Sequence, residues 1–129
     1  MPNWCQNRLR IIGNKSQTED FIQTMKEALW KEIRCDSSSE AEIDAALNEL
    51  KECKSEEEMD INIYIVNICI VTRWNPPVHF IERAASEFKQ LRFELYFAEY
   101  YMDFSGWLIY EDGELVQEDI GPCIIEDIE

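Results

Sequence analysis

The sequence has few of the residues that build metal sites, disulfide frameworks or phosphate-binding loops. Its five cysteines are scattered with no CxxC pair, and His79 is its single histidine. Four glycines leave no glycine-rich phosphate loop, and neither GxSxG nor HExxH occurs. We therefore expect no catalytic residue, no metal and no cofactor, which makes a non-enzymatic protein the leading interpretation. Unpaired cysteines favour a reducing compartment.

Long apolar runs are also missing. No segment approaches the roughly 20 apolar residues needed to cross a bilayer, and the N-terminus lacks the basic and apolar regions of a signal peptide. We expect a cytoplasmic protein with no membrane partner. A chain of 129 residues with 46% hydrophobic content can bury a core without disulfides or metals, so we predict one domain over residues 1–129.

Positive charge is nearly absent from two blocks of the chain. The net charge is −15; residues 36–60 hold 10 acids and 2 bases, and residues 93–129 hold 11 acids and no Lys or Arg. Such blocks disfavour direct binding of nucleic acid, because their few cations are far outnumbered by acids and cannot recruit phosphates. They favour a basic partner, or they serve only as a solubilising surface.

The first half of the chain reads as one strand and two helices. Residues 4–13 alternate as a strand that ends at Gly13, with Asn7 interrupting its apolar face. Ser16 and Glu19 form a capping box, which predicts a helix from there to about Cys35. An acidic helix over about residues 39–57 follows, within a predicted insertion at about 36–60.

The second half predicts a strand, a helix and further strands. Residues 61–72 have apolar side chains at both odd and even positions, which predicts an interior strand with two buried faces. Asn75 is placed to cap a helix with Pro76 at its first position. A strand with Phe93, Leu95 and Phe97 on one face comes next, followed by a hairpin turning at Asp112-Gly113 and a loosely held tail from Glu118. The order predicts a two-layer α+β domain with a mixed or antiparallel sheet of four to five strands and helices on one face.

Two sets of carboxylates are candidate partner-binding residues. Residues 40–58 carry 8 acids over a helical length of about 27 Å, which is near the charge spacing along one DNA strand. Many solvated helix faces have the same composition. The candidates are Glu42, Glu49, Glu52 and Glu56 on the acidic helix, and Glu111, Asp112, Glu114, Glu118 and Asp119 near the C-terminus.

A third candidate site combines amides, indoles and one carboxylate. The amides and the indole of Asn3, Trp4 and Asn7 could form a recognition surface or could tie down a terminus through hydrogen bonds to backbone. Glu99 ends an apolar strand among tyrosines, where burial could raise its pKa and make it a proton donor. The alternative is a turn carboxylate that only accepts hydrogen bonds.

Three short segments, NWCQNRLRIIG, VTRWNPP and YFAEYYMDFSG, together resemble the YubB-type ferredoxin-like family of plasmid and phage proteins. That family shows NWxxN near its start, T-K-W near the middle and E-x-G-x-x-F-x-G late in the chain. The matching positions are Asn3, Trp4, Asn7, Thr72, Trp74, Glu99, Phe104 and Gly106. Arg73 replaces the usual lysine, and Tyr101 stands where glycine is expected.

The resemblance implies a ferredoxin-like fold that gathers these segments at one end of the sheet as a polar-aromatic patch. The patch is either a ligand site or a hydrogen-bond cluster that defines the fold. Our leading hypothesis is a DNA mimic that blocks a basic, nucleic-acid-binding host defence protein of the anti-CRISPR or anti-restriction kind. The alternatives are a small-ligand protein or enzyme built on the patch, and an oligomer joined through Trp30 or Trp107. The sequence does not fix the oligomeric state.

Overall fold

The computed structural model describes residues 4–28, 37–52, 63–73, 76–99 and 104–121. These residues form five strands and three helices. The elements are β1 (Trp4–Gly13), α1 (Lys15–Ala28), α2 (Ser37–Glu52), β2 (Tyr64–Arg73), α3 (Val78–Glu87), β3 (Arg92–Glu99), β4 (Phe104–Glu111) and β5 (Glu114–Gly121).

The strands form one sheet in the order β2-β1-β3-β4-β5, and every neighbouring pair is antiparallel. Apolar residues of the three helices and of one sheet face form a single core. The structure therefore confirms the predicted two-layer ferredoxin-like α+β fold, with five strands and a purely antiparallel sheet.

β1 is an interior strand whose side chains alternate cleanly between the two faces of the sheet. Cys5, Leu9 and Ile11 are fully buried beneath the helices, while Gln6 and Arg8 point to the face that no described helix covers. We call this second surface the open face. Asn7 shares the buried face with the apolar residues, as its position in the alternation predicted.

The helices pack on the other face through aromatic and aliphatic side chains. Phe21 of α1 meets the rings of Phe80, Phe88 and Phe93 at centroid distances of 4.8 to 6.0 Å. These tilted and edge-on contacts join α1, α3 and β3 in one aromatic cluster. α2 also buries an apolar stripe, formed by Ile43, Ala46, Leu47 and Leu50.

The prediction that residues 61–72 form an interior strand is wrong. Among the described strands β2 pairs with β1 alone and lies at the edge of the sheet, and Ile63 and Ile65 are 62% and 53% exposed. Apolar residues at both parities indicate burial on two faces, but here one set faces the core and the other lies on the open face. Hydropathy alone does not distinguish these surfaces.

α2 protects this edge. The backbone N–H of Val71 donates a 2.9 Å hydrogen bond to the hydroxyl of Ser39 on α2, so that N–H points away from β1. Covering an edge strand with a helix limits its pairing with other chains. The acidic helix is therefore attached to the sheet as well as to α1, to which Lys26 and Asp44 join it at 2.7 Å.

Two predicted helix starts also need correction. α1 begins at Lys15, and its cap is Asn14, whose Oδ1 accepts the N–H of Gln17 at 2.8 Å. The Ser16 capping box is therefore wrong, since Ser16 already lies inside the helix. α3 begins at Val78 after Pro77, so Pro76 precedes the helix instead of opening it. Asn75 lies outside the described residues.

The C-terminal hairpin forms as predicted but extends further. Asp112 and Gly113 both have positive φ, as the predicted mirror-type turn requires. Beyond the turn, β5 stays paired with β4 up to Gly121. The prediction of a loosely held tail from Glu118 is therefore wrong as far as Gly121.

Candidate functional site

A buried polar cluster lies at one end of the sheet, under the helix layer. The side-chain amide of Asn7 donates to the backbone oxygens of Cys5 at 3.1 Å and Ile70 at 3.3 Å, and to Thr72 Oγ1 at 2.8 Å. The Cys5 thiol donates to Asn7 Oδ1 at 3.7 Å. These contacts join β1 and β2 through side chains in addition to their backbone ladder.

Glu99 completes this cluster from the neighbouring strand β3. Its side chain is fully buried, and its charge acts on the Cys5 thiol. Burial, assisted by the Glu99 charge, raises the pKa of Cys5 to about 11 despite hydrogen bonds that act in the opposite direction. Cys5 is thus a protonated, unreactive thiol at neutral pH. We name Cys5, Asn7, Thr72 and Glu99 the Asn7 cluster.

The structure does not place Trp4 with the Asn7 cluster. Positions 4 and 7 are three apart on a strand, so their side chains point to opposite faces. Trp4 is 39% exposed on the open face, with the Arg73 guanidinium 5.9 Å from the centroid of its ring. Asn3 and Trp74, the other two predicted members of the patch, lie outside the described residues.

Phe104 and Gly106 lie near the cluster on β4, in structural roles. Phe104 pairs with Glu99 across the strands, and its ring lies 6.0 Å from that of Phe97. A Cβ at Gly106 would collide with the backbone oxygen of Asp119 on β5. Gly106 is therefore required for the close approach of β4 and β5.

The acidic candidates on α2 are partly available to a partner. Glu42 and Glu49 are exposed and line a groove of about 300 Å³ between α2 and β2. Seven residues of helix separate them by about 10.5 Å. Glu52 is the last residue of α2, but its side chain and all of Glu56 lie outside the described part of the chain.

The C-terminal candidates are all exposed, and four of them have no ion pair with any described residue. Glu111 accepts a hydrogen bond from the Arg92 guanidinium at 2.6 Å, and this ion pair offsets the charge of Glu111. Asp112 lies in the hairpin turn, and Glu114, Glu118 and Asp119 lie on β5. β5 is the second edge of the sheet and also exposes Leu115, Val116 and Ile120 at 44 to 56%.

The two acidic surfaces lie at opposite edges of the sheet, because α2 packs on β2 while β5 is the far strand. At about 4.8 Å per strand, the two edges are about 19 Å apart. A flat partner would therefore contact one surface or the other.

A charge network on the open face links three strands. Glu94 accepts hydrogen bonds from Arg92 Nε at 2.8 Å and the Tyr96 hydroxyl at 3.0 Å, and Arg10 lies 3.8 Å away. Burial alone would raise the pKa of Glu94, but the hydrogen bonds from Arg92 and Tyr96 outweigh it and hold the pKa below its ordinary value.

Sequence analysis missed a row of side chains on the same face. Arg8, Tyr96, Trp107 and Asp119 lie opposite one another on β1, β3, β4 and β5. Period-two alternation shows which face of its strand each side chain lies on. Only the pairing register between the strands shows that the four side chains form one row. We call them the cross-strand row. They line a cleft of about 590 Å³.

Among the residues that the structure describes, no three His, Cys, Asp or Glu side chains are grouped to hold a metal ion. Within the same residues, no helix is long and apolar enough to span a bilayer.

Comparison with known proteins gives a family and a fold. The family described as "Ferredoxin-like domain in Api92-like protein" matches residues 54–129. The chain is also similar to the crystal structure of a protein api92 from Yersinia pseudotuberculosis, with a TM-score of 0.52 and 8% sequence identity, over 95% of this chain and 99% of that one. No curated protein sequence matches the chain.

At 8% identity the structural likeness supports the fold alone, whereas the family match is made on sequence. That match includes β2, α3 and the three strands that follow, which is more than half of the chain. The protein therefore belongs to the family of Api92-like proteins that carry this ferredoxin-like domain.

Proposed function

We propose that the protein is a small, non-enzymatic binding protein of a phage or plasmid that occupies the nucleic-acid-binding surface of a basic host defence protein. In this proposal its carboxylates replace phosphates against the partner's Arg and Lys side chains, as an anti-CRISPR or anti-restriction protein of the DNA-mimic type would do. Complementary charge would also accelerate the encounter.

The observation that carries this proposal is the composition and position of β5. It is an edge strand with Glu114, Glu118 and Asp119 exposed beside three exposed apolar side chains. Carboxylates alone are typical of a solvated surface. Apolar side chains next to them on an edge strand are typical of a strand that docks on a protein.

The mobile-element origin in this proposal rests on the resemblance to the YubB-type family. Trp4 of its motifs lies on the open face, whereas five other described motif residues lie together at one end of the sheet: Asn7, Thr72, Glu99, Phe104 and Gly106. The burial of Asn7, Thr72 and Glu99, together with the hydrogen bonds of Asn7, favours a fold-defining role for this part of the motifs. We therefore place the partner-binding surface on the carboxylates rather than on the Asn7 cluster.

The test begins with a pull-down from host lysate, washed at graded salt, followed by affinity measurements on the purified partner. The β5 variant carries Glu114→Gln, Glu118→Gln and Asp119→Asn, which removes three charges and keeps side-chain shape. A second variant replaces Glu42, Glu49, Glu52 and Glu56 by Gln. The control carries Asp20→Asn, Glu82→Gln and Glu87→Gln, three exposed carboxylates on α1 and α3.

We expect the β5 variant to bind about tenfold more weakly, because three exposed ion pairs contribute about 0.5 kcal/mol each. The dependence of its affinity on salt should flatten, and the control should bind like the parent. The partner's own nucleic acid should compete with the parent protein. If both charge-neutralised variants bind as tightly as the parent at physiological salt, the acidic surfaces are only solubilising and the proposal is wrong.

A further inference from the structure

The open face carries a cleft lined by a cation, aromatic rings and one carboxylate. The cleft has a volume of about 590 Å³, within the range typical of sites for small ligands. One side is the cross-strand row, and beside it lie the short side chains of Ala98 and Ser105 and the backbone of Gly121, which face one another on β3, β4 and β5. Because these residues are short and the neighbouring rings are large, the cleft has room for a flat ligand over the sheet.

The cross-strand row has a cation at one end, aromatic rings in the middle and a carboxylate at the other end. Its four strands span about 14 Å at normal strand spacing. The Arg8 guanidinium lies 5.1 Å from the centroid of the Tyr96 ring, which holds it over the face. The Tyr96 hydroxyl is in turn fixed by its hydrogen bond to Glu94. The Arg8 and Tyr96 half of the row is thus organised before any ligand arrives.

Arg8 is also a cation available to an anion. Arg10 and Arg92 on the same face are both engaged by Glu94, whereas Arg8 has no carboxylate within ion-pair distance among the described residues. An arginine stacked on a ring keeps the N–H donors at its edge free, and these donors match phosphate in a bidentate manner.

We propose that this cleft binds a nucleotide. Its phosphate contacts Arg8 where that side chain covers the Tyr96 ring, its base stacks on Trp107, and Asp119 accepts hydrogen bonds from amino or hydroxyl groups of the nucleoside. Stacking of a base on an aromatic side chain contributes about 1–3 kcal/mol in proteins that bind single strands. This inference goes beyond the proposed function and does not depend on it.

The charge of the molecule limits the ligand to a short one. A net charge of −15 opposes a long polyanion, and Asp119 closes the β5 end of the row with a negative charge. A nucleotide places its one charged group at the Arg8 end, about 14 Å from that carboxylate. The row therefore matches a single nucleotide better than an extended nucleic acid strand.

The experiment is a titration of the ¹⁵N-labelled protein, followed by NMR, with AMP, adenosine and inorganic phosphate as separate probes. We expect AMP to shift the Trp107 indole N–H and the amides around Arg8, Tyr96 and Ser105 in a saturable manner. Arg8→Gln should weaken AMP binding about tenfold or more. Arg83→Gln is the matched control, since Arg83 also stacks on a ring, that of Phe80 at 5.7 Å, but in the helix layer.

Several results would overturn the assignment. The first is the absence of a saturable shift with millimolar AMP. The second is phosphate binding as tight as AMP binding, which would indicate an adventitious ion only. Equal AMP binding by Arg8→Gln and the parent would also overturn it, as would tighter binding of a short oligodeoxyadenylate than of AMP. The β5 variant changes Asp119, which also lines the cleft, so it is not used to test nucleotide binding. Arg8→Gln leaves all the acidic candidates intact, so this variant tests the nucleotide site separately from the proposed function.

Discussion

At the scale of single residues, Asn7 shows how a polar side chain can specify an apolar core. Its amide has three acceptors on two strands, and it is only 4% exposed. A buried amide that is hydrogen-bonded this fully favours one register of β1 against β2, because a slip of one residue would move it to the open face.

We predict that Asn7→Ala lowers the free energy of unfolding by about 1–3 kcal/mol, because buried acceptors such as Thr72 Oγ1 lose their donor. Urea denaturation measures the change, and the exposed neighbour Gln6→Ala is the control. Partner binding at low temperature should persist. Unchanged stability together with lost binding would instead assign Asn7 to a recognition site.

At the scale of elements, the edge position of β2 means that its backbone N–H groups point alternately towards β1 and away from it. The N–H of Val71 points away from β1 towards Ser39, and N–H groups two residues apart in an antiparallel strand point the same way. The N–H groups of Ile65, Asn67 and Cys69 therefore point outward, whereas those of the residues between them point to β1.

We predict alternating amide exchange along β2, with Ile65, Asn67 and Cys69 exchanging quickly and Val66, Ile68 and Ile70 slowly. Hydrogen exchange followed by NMR measures each site. Val71 should be slow in the parent and faster in Ser39→Ala, since that change removes its acceptor. Uniformly slow exchange over these residues would contradict the edge position of β2.

Local pattern was sufficient for the fold class and insufficient for the arrangement of the site. Alternation predicted β1 and the buried Phe93, Leu95 and Phe97, because a single buried face leaves a clear period of two. It failed for β2, because apolar residues on the open face resemble core residues. The cross-strand row was not predictable, since it depends on register between strands that are far apart in the chain.

At the scale of the whole molecule, Glu94 connects the central strands to one another. Through Arg10, Arg92 and Tyr96 it joins β1 and β3, and Arg92 extends the network to Glu111 on β4. Because the folded protein holds the pKa of Glu94 below its ordinary value of 4.5, its ionised form stabilises the fold above that pH. This stabilisation is lost as the pH falls through the lowered pKa.

We predict that Glu94→Gln lowers the melting temperature at pH 7 and that the difference from the parent narrows as the pH falls below about 4.5. Circular dichroism melts from neutral to acid pH measure this convergence. Glu87→Gln on α3 should follow the parent throughout, because Glu87 is exposed and has no ion pair with a described residue. A gap that stays constant with pH would show that Glu94 acts by packing alone.

The interior position of β1, between two neighbouring strands, also determines when the protein can fold during synthesis. β1 is made early, but its two neighbours are β2 and β3, which begin at Tyr64 and Arg92. At about 5–20 residues per second, the ribosome needs roughly 4 to 16 s to go from the end of β1 to the start of β3. Throughout that interval the apolar side chains of Leu9 and Ile11 have no complete core to enter. The strand order therefore makes the N-terminal half of the nascent chain the part most prone to aggregation, whatever the stability of the finished fold.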